Sequence, residues 1–175
     1  MSERINFLIT ACPSRGDQNM KSKVLVIYYS LGGTTRKVAE KIAEKLKCEI
    51  EEITEPKSRK GIIGFIRSGY GSVKGKTSIL NPLKTNPADY DVVIVGGPTW
   101  AGTVSVPVRT YLKQFGGQIK QVMHIGVSGG VEKGKLFQEM TQWSKSPLAI
   151  LDLTQKEVQK DLYGPKLEEF LKQIP

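Results

Sequence analysis

Residues 24–29, VLVIYY, are apolar or aromatic at every position, and the residues that follow, Ser30 to Thr35, are small, hydroxylated or glycine apart from Leu31. A strand with one wet face alternates apolar and polar residues. A strand with no alternation is covered on both faces, and its neighbours in the sheet then usually run parallel, with helices above and below. This one run therefore commits the chain to a layered α/β architecture.

The rest of the chain repeats the motif. Val38, Ile42 and Leu46, flanked by Ala39 and Ala43, put one apolar stripe on a helix over Thr35 to Lys47, which Thr34 or Thr35 can cap. A weaker strand spans Cys48 to Thr54. Ile62, Ile63, Phe65, Ile66 and Tyr70 suggest a short helix among glycines, and Asn81-Pro82 and Asn86-Pro87 mark loop. VVIV at 92–95 is a second strong strand, ending in Gly96-Gly97-Pro98. A helix follows, with Pro107 in its first turn and Val108, Tyr111, Leu112 and Phe115 on its face; Gly116 is expected to close it in the left-handed conformation. Val122 to Val127 is a third buried strand, Lys135 to Trp143 a helix, and Leu148 to Leu153 the last strand. Thr154 and Glu157 form a capping box for a terminal helix whose face runs through Val158 and Leu162, is disturbed at Gly164-Pro165, and resumes at Leu167, Phe170 and Leu171. Strand then helix, five times over, with right-handed crossovers, makes a parallel sheet with helices on both faces.

Residues 1–20 do not share this pattern and read as an N-terminal tail or an extension from an upstream start, leaving one domain over 21–175. No apolar run reaches the roughly 18 residues of a membrane span. Cys12 and Cys48 have neither metal nor CxxC spacing and are expected to be reduced thiols of a cytoplasmic protein. The formal net charge is +9, and Lys57, Arg59, Lys60, Arg67, Lys74 and Lys76 fall in a window with no acid. Such a surface attracts acidic partners, or is simply a solvated face. Nucleic acid is not expected, because only Phe65 and Tyr70 interleave with the charge.

In parallel sheets, ligands sit beyond the carboxyl ends of the strands, where the strand order reverses. The loops 30–35, 97–103 and 128–134 all fall at that edge. The first has hydroxyls and glycines, no acid, and a helix start, which together suit an anion. Gly75-Lys76-Thr77 resembles the end of a nucleotide P-loop, but Tyr70 stands where that motif needs glycine and no helix start follows. The Rossmann glycine spacing is absent after the first strand. A phospho-receiver pocket would need acids where Tyr29-Ser30 and Gly96-Gly97 stand. In the second loop, Trp100 is flanked by glycines and is a good stacking plate for a flat ring, rather than a core residue. The only histidine, His124, lies inside a strand and reads as structural.

SLGGTTRKVAEKIAE resembles the phosphate-loop signature of flavodoxins, and VVIVGGPTWAGTVSVPVRTYL resembles their second flavin-binding segment. The resemblance covers roughly residues 21–173. It implies a three-layer αβα sandwich with a five-stranded parallel sheet in the order 2-1-3-4-5, and non-covalent FMN. The phosphate would meet Ser30, Leu31, Gly32, Gly33, Thr34 and Thr35. Pro98, Thr99, Trp100, Ala101 and Gly102 would hold the ring, with Trp100 stacked on it, and Ser128, Gly129 and Gly130 would face its polar edge. Gly32 stands where the family usually has threonine, and the third loop lacks the tyrosine that often covers the outer ring face. The implied function is an FMN redox protein passing electrons between protein partners, with residues 57–76 docking an acidic partner. The alternative is an FMN-dependent NAD(P)H:quinone or flavin reductase.

Overall fold

The computed structural model describes residues 22–56, 77–130 and 135–175. The tail at 1–20 and the basic segment 57–76 lie outside the described residues.

Five strands run parallel: β1 (Val24–Tyr28), β2 (Glu49–Glu52), β3 (Val92–Trp100), β5 (Gln121–Ser128) and β6 (Ile150–Thr154), in the order β2-β1-β3-β5-β6. A two-residue strand, β4 (Thr103–Val104), pairs antiparallel with the end of β3. With that short strand set aside, the order of the parallel strands is the expected 2-1-3-4-5. Val24↔Val92 and Tyr28↔Gly96 fix the register of β1 on β3, and Val92↔Gln121 that of β3 on β5.

The absence of alternation in β1 has the expected meaning. Val24, Val26 and Tyr28 face one layer, where they pack with Val38, Ala39 and Ile42 of α1 (Thr34–Leu46), Val158 of α4 (Gln155–Gln159), and Leu167 and Phe170 of α5 (Gly164–Leu171). Leu25 and Ile27 face the other, against Val108, Tyr111 and Leu112 of α2 (Val106–Phe115) and Leu136 and Met140 of α3 (Leu136–Gln142). The result is the three-layer αβα sandwich.

Four local expectations are corrected. β3 does not end at Val95 but runs on to Trp100, because the chain folds straight back as β4. Gly116 is right-handed, at φ −58° and ψ −33°, and α2 passes into a 3₁₀ turn over Gly116–Gln118. The terminal helix is two helices: Asp161 has φ +55°, and Pro165 sits in the first turn of α5. Tyr163, not Leu162, is buried at that break, and Leu162 is 64% exposed. Pro107 in the first turn of α2 and the Thr154–Glu157 capping box are as expected.

A loop lies beside the β2 edge of the sheet. Thr54 O accepts the Asn81 amide at 2.9 Å, and the Glu51 carboxylate accepts the Lys84 and Thr85 amides at 2.6 and 2.9 Å. A glutamate in the edge strand thus takes the backbone donors of a loop that forms no ladder of its own.

Candidate functional site

The carboxyl ends of β1, β3, β5 and β6 meet around a cavity of about 570 Å³. Its walls are Ser30, Leu31, Gly32, Thr34 and Thr35 from the first loop, Pro98, Thr99, Trp100 and Ala101 from the second, and Gly129 from the third. The structure adds Val127 and Gln155. Gly33, Gly102, Ser128 and Gly130 belong to the same loops without lining the wall. No lining residue among the described residues ionises, so this part of the wall suits a largely neutral body and takes its electrostatic character from the backbone.

That character is positive at one end. α1 opens at Gly33, whose φ of +86° is left-handed and which has no side chain with which to cap the helix. Thr34 and Thr35 are helical residues, contrary to the expectation that one of them caps; the first helical amides have no carbonyl within the helix to reach. The Ser30 hydroxyl oxygen takes the cap's place, accepting the Gly33 amide at 3.1 Å and the Arg36 amide at 3.3 Å. It keeps its own proton to donate. There is no acid in the first turn of α1 to neutralise the helix dipole. The nearby cations are committed elsewhere: Arg36 donates to both carboxylate oxygens of Glu52 at 2.7 Å, and Lys37 Nζ donates to Val158 O at 3.2 Å. Bonding first to Glu52 and then to Tyr28 drives the Arg36 pKa still higher, so its charge is fixed and spoken for.

At the other end stands a β-hairpin. Ala101 at φ +49° and Gly102 at φ +74° are the two central residues of its turn, and positive φ at both is the type I′ pattern that joins tightly twisted strands. Trp100 pairs with Thr103, whose hydroxyl donates back to Trp100 O at 3.0 Å. The indole lines the cavity yet is only 7% exposed. It meets Tyr29 edge to face, with centroids 5.7 Å apart and planes at 89°. Trp100 is therefore also a core residue, which the sequence reading did not expect: β3 carries it far enough to reach the layer beneath.

Between these ends, Ser128 closes β5. It is 3% exposed, and its hydroxyl has no hydrogen-bond partner among the described residues. Residues 131–134 lie outside the described residues. Gln155 follows β6 directly, one residue after the capping Thr154. The strand-end argument, carried to the last strand, would have found it.

His124 lines no part of the cavity. It is fully buried, with Nε2 3.2 Å from Ser144 Oγ, and desolvation pushes its pKa down to about 4. Ser144 gives its proton to Met140 O at 2.8 Å, so the imidazole carries its hydrogen on Nε2. No group of three His, Cys, Asp or Glu among the described residues could hold a metal ion, and no helix among them is long and apolar enough to cross a membrane.

Comparison with known proteins adds four findings. A family model described as Flavodoxin matches residues 23–152. A flavoprotein from Lactobacillus acidophilus NCFM, solved in complex with FMN, superposes with a TM-score of 0.63 at 22% identity, over 79% of this chain and 97% of that one. Oxidised flavodoxin 1 from Bacillus cereus superposes with a TM-score of 0.51 at 19% identity, over 88% of this chain and 100% of that one. An NAD(P)H dehydrogenase (quinone) from Rhizobium rhizogenes is 33% identical over 97 residues, 55% of this chain. The chain spans about half the length of that curated relative, 48% of which is matched.

Proposed function

The chain belongs to the flavodoxin family, and on that premise we propose that it binds FMN in the cavity described above and carries electrons between protein partners in the cytoplasm. One observation carries the reading. One cavity, with no ionisable wall among the described residues, joins a helix N-terminus whose amides meet only the Ser30 hydroxyl to a tryptophan-bearing hairpin, between the strands where the sheet order reverses.

The residues present fit the group. The amides of Gly33 and Arg36, now satisfied by Ser30 Oγ, stand with those of Thr34 and Thr35 where a phosphate needs donors, and Ser30 can donate its own hydrogen. The hairpin from Pro98 to Gly102 would hold the ring, with Trp100 against its face. The Ser128 hydroxyl, buried and without a partner among the described residues, and the Gly129–Gly130 backbone would serve the ring's polar edge. Gln155 closes the wall from the side of β6. FMN, when bound, supplies the electron chemistry, and the protein sets its potential and access.

The test is direct. Purified protein mixed with excess FMN and desalted should stay yellow, with one FMN per chain; a colourless product would refute the reading. A second function, reduction of a quinone by NAD(P)H, draws support from the name of the Rhizobium relative and from the exposed Gly129–Gly130 in the third loop. Steady-state NADPH oxidation with a quinone separates the two, because a carrier turns over almost none.

Gly32 offers a sharper check on the phosphate end. No atom lies within 4 Å of where its Cβ would sit, and its backbone is not left-handed. Gly32→Thr should fold normally and add one hydroxyl donor. The FMN dissociation constant, read by quenching of flavin fluorescence, should then fall roughly twofold to tenfold, the range of one neutral hydrogen bond. Weaker binding would place the phosphate elsewhere.

A further inference from the structure

Arg109 is a cation on a helix face that should hold none. It lies on α2, is 1% exposed, and sits among Val108, Tyr111 and Leu112 of the apolar layer. Its guanidinium donates to Glu139 Oε2 on α3 at 3.0 Å and lies 5.6 Å from the centre of the Trp143 ring. Taking such a pair out of water is expensive, and apolar residues of similar volume often serve stability as well or better. The pair therefore calls for a reason beyond packing.

The reason lies in what else Glu139 does. The same Oε2 accepts the backbone amide of Val104 at 3.3 Å. Val104 is in β4, the return strand of the hairpin that carries Trp100. α3 grips that hairpin at a second point, where the Lys135 amide donates to Gly102 O at 2.9 Å. Two backbone groups of the hairpin, one carbonyl and one amide, are thus held from outside by one helix. Arg109 fixes the carboxylate that holds the amide.

We infer that Arg109 and Glu139 are positioning residues for the cofactor: they set where the hairpin from Pro98 to Ala101 stands against the ring. The inference rests on the FMN reading above. The acceptor on Val104 is the working part, and Arg109 serves by holding it in one place.

Two double variants separate this from a purely stabilising pair. Arg109→Met/Glu139→Gln removes both charges and keeps a carbonyl oxygen for Val104. Arg109→Met/Glu139→Leu removes the charges and the acceptor together. Urea midpoints check that both fold. FMN affinity is read by quenching of flavin fluorescence, and ring orientation by the visible circular dichroism of the bound flavin. The glutamine pair should bind FMN within about threefold of wild type and keep its dichroic band. The leucine pair should bind on the order of tenfold more weakly, the scale of one hydrogen bond to a charged acceptor, with a changed band. Wild-type affinity and an unchanged band in the leucine pair would overturn the inference.

Should the leucine pair fail to fold, hydrogen exchange of the Val104 amide in the wild-type apoprotein decides the matter. Protection like that of the central strands supports the grip, and exchange like that of an exposed turn overturns it. If the wild-type protein retains no FMN, the FMN reading fails first, and the grip is judged by Val104 exchange alone.

Discussion

Gly116→Ala is expected to destabilise the protein by about 3 kcal/mol or more, the upper end of what overpacking a core costs. The backbone there is right-handed, at φ −58° and ψ −33°, so alanine could adopt it, and by propensity alone it would favour the helix. Contact decides the sign instead. A Cβ on Gly116 would fall 1.8 Å from the Trp143 carbonyl oxygen and 2.9 Å from its carbon. These are backbone atoms, which no rotamer change can move. Either the turn after α3 must shift or α2 must tilt. Gly117 is the matched control, with nothing within 4 Å of its Cβ position. Gly117→Ala should stay within about 0.5 kcal/mol of wild type, as surface substitutions do. Urea unfolding of the two variants checks both. Equal midpoints would refute the close approach at Gly116.

The second large effect is acid sensitivity from His124. In the folded protein its pKa is held at about 4 by burial, whereas the unfolded chain protonates it near the ordinary 6.5. Between those values the unfolded state binds one more proton than the folded state. Stability is therefore complete above about pH 6.5 and falls as the pH drops, by about 1.4 kcal/mol per pH unit through the middle of the window. The whole loss by pH 4 is about 3 kcal/mol. The chain has a single histidine, so no other imidazole shares the window. Carboxylates such as Glu157, held down to about 2 by Lys166 and the Thr154 cap, act at lower pH. His124→Gln places an amide nitrogen where Nε2 donates to Ser144 and has nothing to titrate. Unfolding free energies at pH 7, 6 and 5 should slope in the wild type and lie flat in the variant. An equal slope in both would remove His124 as the cause.

Much of the architecture was legible because it follows from burial alone. β1 cannot be apolar at every position unless both its faces are covered, and that one fact calls for helices above and below. The phosphate end was legible for a similar reason, since Ser30 to Thr35 hold no acid and precede a helix. The errors arose where a residue answers to something distant in sequence. Gly116 reads as an ordinary helix-ending glycine, but its purpose is the carbonyl of Trp143, 27 positions on. Trp100 reads as a loop residue because Ala101-Gly102 lacks the Asn-Gly signal of a type I′ turn, and alanine at φ +49° is a choice that local propensity disfavours. Thr34 and Thr35 carry the right chemistry for capping, but Ser30, several residues earlier, reaches the amides first. Gln155 carries no motif and is identified only by following β6 to its end.

The loop laid along β2 has a consequence for association. Sheets join by pairing the backbone of one exposed rim with another, and a filament needs two such rims on every copy. Here the loop at Asn81, Lys84 and Thr85 lies beside β2, held by Thr54 O and the Glu51 carboxylate, while no strand lies beyond β6 among the described residues. Two copies could meet at β6, whereas a partner strand at β2 would first have to displace the loop beside it. Rim-to-rim joining of this protein is therefore expected at β6 rather than at β2.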